Sequence, residues 1–246
     1  MHTDIIFRTI LLFALLIPIQ AMAQQKCAIE DHACTTALWE DIAQNIDNES
    51  WRDQSYRELA KTLAAYGEYE KALLIWDKII NPDTKALTIR GIGMAAADNK
   101  IDGDAYNALF TKLREKSETI THPPSYAIAL TYIAMAQAFA GDDAGAWKTA
   151  GDMENDALRH KAFGETAEIQ AEKGKLDAAM KSIAYIDSEA YRNKSYAIVS
   201  KILADHGLYQ ESLDAAVPVT NAYKKAKAIE YVLQKQEFDN AHIQQQ

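Results

Sequence analysis

Turn-forming residues are scarce in this sequence. Its 246 residues include only 10 glycines and 5 prolines, about 6% of the chain against a usual ~12%. That excludes a collagen-like chain or a Pro/Gly-rich disordered one. A β-sandwich or barrel is disfavoured, because each of its tight turns would call for such residues. Cationic excess is missing too. With 26 Lys+Arg against 35 Asp+Glu the formal net charge is -9. This argues against nucleic acid as a partner, since phosphate contacts need clustered Lys and Arg. After Gln20 no apolar run approaches the ~20 residues that cross a bilayer. Cysteine is nearly absent, at two residues. What is plentiful suits helices: 48% of residues are hydrophobic and 42 are alanine. Such a chain can bury a core, so wholesale disorder is excluded. Its propensities point to an all-α protein.

Residues 1–23 read as a secretory leader. Arg8 supplies positive charge, Ile10 to Ile19 is an uncharged apolar run, and Ala21-Met22-Ala23 has the small-x-small pattern of a cleavage site. Cleavage is expected after Ala23. The apolar run is too short for a bilayer span, which disfavours the alternative of an uncleaved anchor. The expected location is the bacterial periplasm or the exterior, with no integral membrane segment after cleavage. In an oxidising compartment Cys27 and Cys34 are most simply a disulfide. On one continuous helix their Cα atoms would lie about 10.5 Å apart, beyond the ~7 Å limit for a bridge. A bent loop or frayed helix start between them is therefore required. Cys27, His32 and Cys34 also invite a metal reading, but three ligands without a fourth make a poor zinc site.

Anchored on Gly67, Lys100, Gly141, Gly174 and Gly207, the sequence repeats with spacings of 33, 41, 33 and 33. The eight extra residues are assigned to a loop-like insertion around Glu115 to Pro124. Three residues before each anchor stands alanine: Ala64, Ala97, Ala138, Ala171, Ala204. Seven before is small: Ala60, Gly93, Ala134, Ala167, Ser200. Eleven before is large: Tyr56, Ile89, Leu130, Phe163, Tyr196. Five after is small (Ala72, Ala105, Ala146, Ala179, Ser212) and six after is large (Leu73, Tyr106, Trp147, Met180, Leu213). The offsets before the anchor follow the 3.6-residue period of one helix face. The anchor then ends that helix in a left-handed turn. At Lys100 the neighbouring Asn99 is the better candidate for that conformation. Asn81-Pro82 closes one second helix. Each unit is thus a helix-turn-helix hairpin that buries its other face on the next. A leading helix that caps the first unit is expected over Thr35 to Asn45, with Ala37, Leu38, Ile42 and Asn45 on one side.

The pattern resembles the tetratricopeptide repeat. A small residue twelve places before a second small residue (Ala60 and Ala72, Ala134 and Ala146, Ala167 and Ala179) is that family's central spacing. The inter-helix glycine also fits. The period of 33 differs from the family's about 34, and the closing proline occurs only at Pro82. The resemblance covers Trp51 to Val219, with a degenerate sixth unit from Tyr223. It implies an α-solenoid, a right-handed superhelix of about five hairpins. The expected organisation is a leader over 1–23, a disulfide loop and capping helix over 24–50, repeats over 51–236, and a polar tail over 237–246.

No catalytic constellation, Gly-rich phosphate loop or metal-binding pair is visible, so neither catalysis nor a cofactor or metal is expected. His206, beside Gly207, is placed to meet the last carbonyls of its helix. Trp76 and Trp147 fall in packing columns. Fifteen before the anchor is basic in four units (Arg52, Lys85, Arg159, Arg192), where a cation suits the preceding helix C-terminus. The resemblance implies a concave groove lined by positions thirteen, ten, six and two before the anchor. In that groove Arg57, Lys61 and Arg90 would meet acidic groups, and Met94, Met135 and Phe139 apolar ones. The expected function is a non-catalytic scaffold for a protein or peptide. A cell-wall-associated enzyme or accessory factor, or a small-molecule or lipid carrier using the superhelix interior, are the alternatives.

Overall fold

A computed structural model describes residues 26–243. The leader over 1–23 and the last three glutamines lie outside the described residues. The described chain forms twelve helices and no strand: α1 (His32–Gln44), α2 (Glu49–Ala65), α3 (Tyr69–Lys78), α4 (Pro82–Asp98), α5 (Gly103–Glu118), α6 (Pro123–Ala140), α7 (Asp143–Gly151), α8 (Asp156–Glu172), α9 (Leu176–Ala184), α10 (Glu189–Asp205), α11 (Tyr209–Ala216) and α12 (Ala222–Ile243). Two of the prolines start helices rather than end them. Pro82 opens α4 behind the Asn81 cap, and Pro123 opens α6, places where a missing N–H costs nothing. Asn48 and Asn155 cap α2 and α8 through their side chains, satisfying amides that the first helical turn leaves free.

The even-numbered helices from α2 to α12 pack side by side in chain order, and each odd-numbered helix from α3 to α11 packs on the even-numbered helix before it. The core is the column set of the sequence. Leu59, Ile92, Ile133, Thr166 and Val199, eight before the anchors, are all buried, as are the small residues one place on. Each of the five anchor turns closes with the same long bond. The amide after the anchor donates to the carbonyl five residues back, as in Glu68 to Leu63 and Leu208 to Leu203. Gly67, Gly141, Gly174 and Gly207 have positive φ, which glycine adopts without Cβ strain.

The second hairpin corrects three expectations. Lys100 itself takes the left-handed conformation (φ 54°) and Asn99 does not. The Asn99 amide is engaged elsewhere, donating to the carbonyls of Ala64 and Ala65 and to Tyr69 Oη. The eight extra residues are not a loop. They lengthen α5 to 16 residues, against 10, 9, 9 and 8 in the other second helices. Ala105 is therefore exposed, and the place facing Gly93 is taken by Leu113. A Cβ at Gly93 would lie 3.7 Å from the Leu113 side chain and 2.7 Å from Ala136 Cβ. The side chain missing at Gly93 makes room for Ala136 on α6, and Leu113 stands at ordinary contact distance from it.

The ends differ as well. In α1 the buried face carries Thr36 and Ala43, and Ile42 is exposed. Trp39 is half-buried, its indole N–H donating to Ser55. At the other end α12 continues as a helix through Ile243. In α12 the two small columns are occupied by Leu233 and Glu237, both exposed, and no second helix follows among the described residues.

The recurring arginine is structural in three units. Arg52, Arg159 and Arg192 donate to the carbonyls of Ile46, Met153 and Ile186, each six residues back. Lys85 instead lies 4.3 Å over the Trp76 ring, which is 1% exposed. Trp147 is half-buried and donates to Ser182. His206 meets the Glu172 carboxylate at 2.7 Å on the neighbouring α8 rather than carbonyls of its own helix. Cys27 and Cys34 are bridged with Cα atoms 5.6 Å apart. Only Cys34 lies inside α1, so the chain bends between them as a bridge requires, and both thiols are removed from any metal reading. No helix among the described residues is long and apolar enough to cross a membrane.

Candidate functional site

Between α2 and α4 lies a cleft of about 460 Å³. Four of the six predicted groove residues meet in it: Arg57 and Lys61 from α2, Arg90 and Met94 from α4. They converge because the offsets ten and six before the anchor put them on the same face of two adjacent helices. Leu87 and Ala65 complete an apolar floor, and Asp98 and Asn99 close the end at the turn.

The cleft's cations are of two kinds. Arg57 and Lys61 share one carboxylate, Glu58, each at 2.7 Å. Burial alone would push the Glu58 carboxyl up. Hydrogen bonds and charges from Lys61 and Arg57 outweigh it and hold the carboxyl below its ordinary value. Arg90 makes no such pair among the described residues. Its guanidinium lies 5.4 Å from the centre of the Tyr132 ring on α6, an attraction that orients it without neutralising it. A strong cation is thus held beside an aliphatic floor, an arrangement suited to a carboxylate next to an apolar side chain.

Gly91 is a cleft residue that the sequence reading did not single out. A Cβ there would lie 2.3 Å from Lys61 Cγ. Its missing side chain leaves room for the Lys61 stem to lie against α4 while the ammonium pairs with Glu58. The signal was available, because glycine inside a helix costs about 1 kcal/mol against alanine and needs a packing reason.

Met135 and Phe139 do not line this cleft. Met135 is 8% exposed, enclosed where α6 packs between α4 and α8. Phe139 is half-buried, with the Lys173 ammonium 4.3 Å from its ring centre. The corresponding rows of α8 and α10 are polar. Lys161 reaches Glu165 at 3.5 Å, and Lys201 lies 5.2 Å over Tyr231. Among the described residues no group of three or more His, Cys, Asp or Glu side chains is placed to hold a metal ion. Compared with models of protein families, with curated proteins and with solved structures, the chain matches none.

Proposed function

We propose that this chain is an exported, tetratricopeptide-like α-solenoid that holds an extended segment of a partner protein, without catalysis. The even-numbered helices form the inner row of a superhelix in this reading, and the odd-numbered helices its outer row. The observation that carries it is the convergence of Arg57, Lys61, Arg90 and Met94 on one cleft. Those residues come from two hairpins at equivalent repeat positions, which is how stacked repeats build a continuous binding face. The chain's net charge is -9, so a cationic cleft on it is a local choice of residues and not a reflection of overall composition. An acidic residue beside an aliphatic one is the complementary ligand.

The test is affinity capture from periplasmic extract with the chain lacking residues 1–23. A partner recovered by the wild type is expected to be lost with Arg57→Glu/Arg90→Glu. Undiminished recovery by that variant, with its helical content intact, refutes the site.

A further inference from the structure

Two junctions between successive hairpins are filled differently. Where α8 meets the segment leading into α10, aromatic rings close the space. Phe163 and Tyr185 stack with ring centres 5.1 Å apart, and His160 and Tyr191 lie 5.5 Å apart. The Asp187 carboxylate receives Arg159 at 3.5 Å and His160 at 3.7 Å. Ring surface and a cation from the chain itself thus occupy this junction.

One period of 33 residues earlier, where α6 meets the segment leading into α8, the same places hold smaller side chains. Leu130, Ala127 and Leu158 stand where the next junction has Phe163, His160 and Tyr191, and Asp152 stands where it has Tyr185. A cavity of about 300 Å³ lies here, lined by these four and by the apolar Pro123 and Met153. Asp152 is engaged by Lys148 at 2.8 Å and Arg114 at 3.3 Å. Glu154, in the place of Asp187, also lines the cavity, is exposed, and forms no ion pair among the described residues. The residue in the place of Arg159 is Tyr126, a ring where the next junction has a cation, and it too lines the cavity.

We propose that the cavity between α6 and α8 binds a small aromatic cation, a ring carrying an ammonium on a short aliphatic arm. The ring takes the volume that His160, Phe163 and Tyr191 fill one repeat later, and packs on Leu130, Met153 and Leu158. The ammonium meets Glu154 and the face of Tyr126. Burial of the ring supplies most of the affinity. The exposed Glu154 contributes less and selects a cation over a neutral ligand. This cavity shares no residue with the cleft between α2 and α4, so the proposal stands independently of what that cleft holds.

The test titrates the chain lacking residues 1–23 with 2-phenylethylamine, 2-phenylethanol and butylamine, read by the amide chemical shifts of Ala127 and Leu158. Saturable binding of 2-phenylethylamine is expected. The alcohol, which lacks the charge, should bind up to about fivefold more weakly. Butylamine, which lacks the ring, should bind at least about tenfold more weakly. Ala127→His/Leu158→Tyr copies the filled junction into this one and is expected to abolish binding of all three. Should that variant fail to fold, Glu154→Lys on the exposed rim serves, and is expected to erase the preference for the amine over the alcohol. The proposal is overturned by non-saturating shifts with 2-phenylethylamine, by undiminished binding in the filled variant, or by equal binding of the amine and the alcohol.

Discussion

The second and fifth hairpins solve one packing problem in opposite ways. In the fifth, two small residues twelve apart face each other across the helices: Ser212 Oγ donates to the Ser200 carbonyl at 2.5 Å and lies 3.2 Å from its hydroxyl. Its turn is a glycine at φ 75°. In the second, the facing residue is Leu113, its partner is reduced to Gly93, and a lysine holds the left-handed turn. One hairpin keeps two moderate side chains and an unstrained turn. The other sets a leucine at ordinary contact distance from a glycine whose absent side chain admits Ala136 of α6, and tolerates strain at the corner. A repeat column therefore answers to the next helix as well as to the facing one: at Gly93 it is Ala136 on α6 that leaves no room for a Cβ.

The sharpest way to break this comparison is to restore volume at Gly93. Gly93→Val meets Ala136 and Leu113 at once, neither of which can withdraw within close-packed helices. A loss of about 2–3 kcal/mol is expected, lowering Tm by about 5–10 °C. Thermal unfolding measures it, and an unchanged Tm would show that α4 and α6 are not held as closely as Gly93 indicates. Next comes Gly207→Ala in the fifth hairpin. Nothing lies within 4 Å of the Cβ it adds, so only the left-handed backbone is penalised, by about 1–2 kcal/mol. Smallest is the reverse change, Lys100→Gly. It should raise stability by up to about 1 kcal/mol in urea unfolding, the relief of turn strain being partly offset by the entropy that glycine gains in the unfolded chain. If Lys100→Gly destabilises, the lysine side chain has a role beyond the turn.

Much of this architecture was legible before any coordinates. The columns before the anchors mark the buried face of every first helix, since a 3.6-residue period admits no other face. The cysteine spacing implied the bend that lets Cys27 and Cys34 meet. What escaped depended on tertiary partners. The eight extra residues beside the second hairpin look loop-like in Glu115 to Pro124, because Ser, Thr and Pro there also suit a helix end and a helix start. Only Leu113 facing Gly93 reveals that a helix has grown instead. Asn99 was the better left-handed residue by intrinsic preference, but three hydrogen bonds to the preceding hairpin bind its side chain elsewhere. The groove divided along the same line. Arg57, Lys61, Arg90 and Met94 meet because two neighbouring helices repeat the same offsets. Met135 was lost to the cleft because close packing on both sides of α6 enclosed it, which no pattern within one helix records.

The last described helix shows what the small columns do. In the earlier hairpins they are held by Ala, Gly or Ser, and another helix lies close against them. In α12 the same two places carry Leu233 and Glu237, both exposed. Side chains of that size would keep a helix from approaching as closely there as α11 approaches α10.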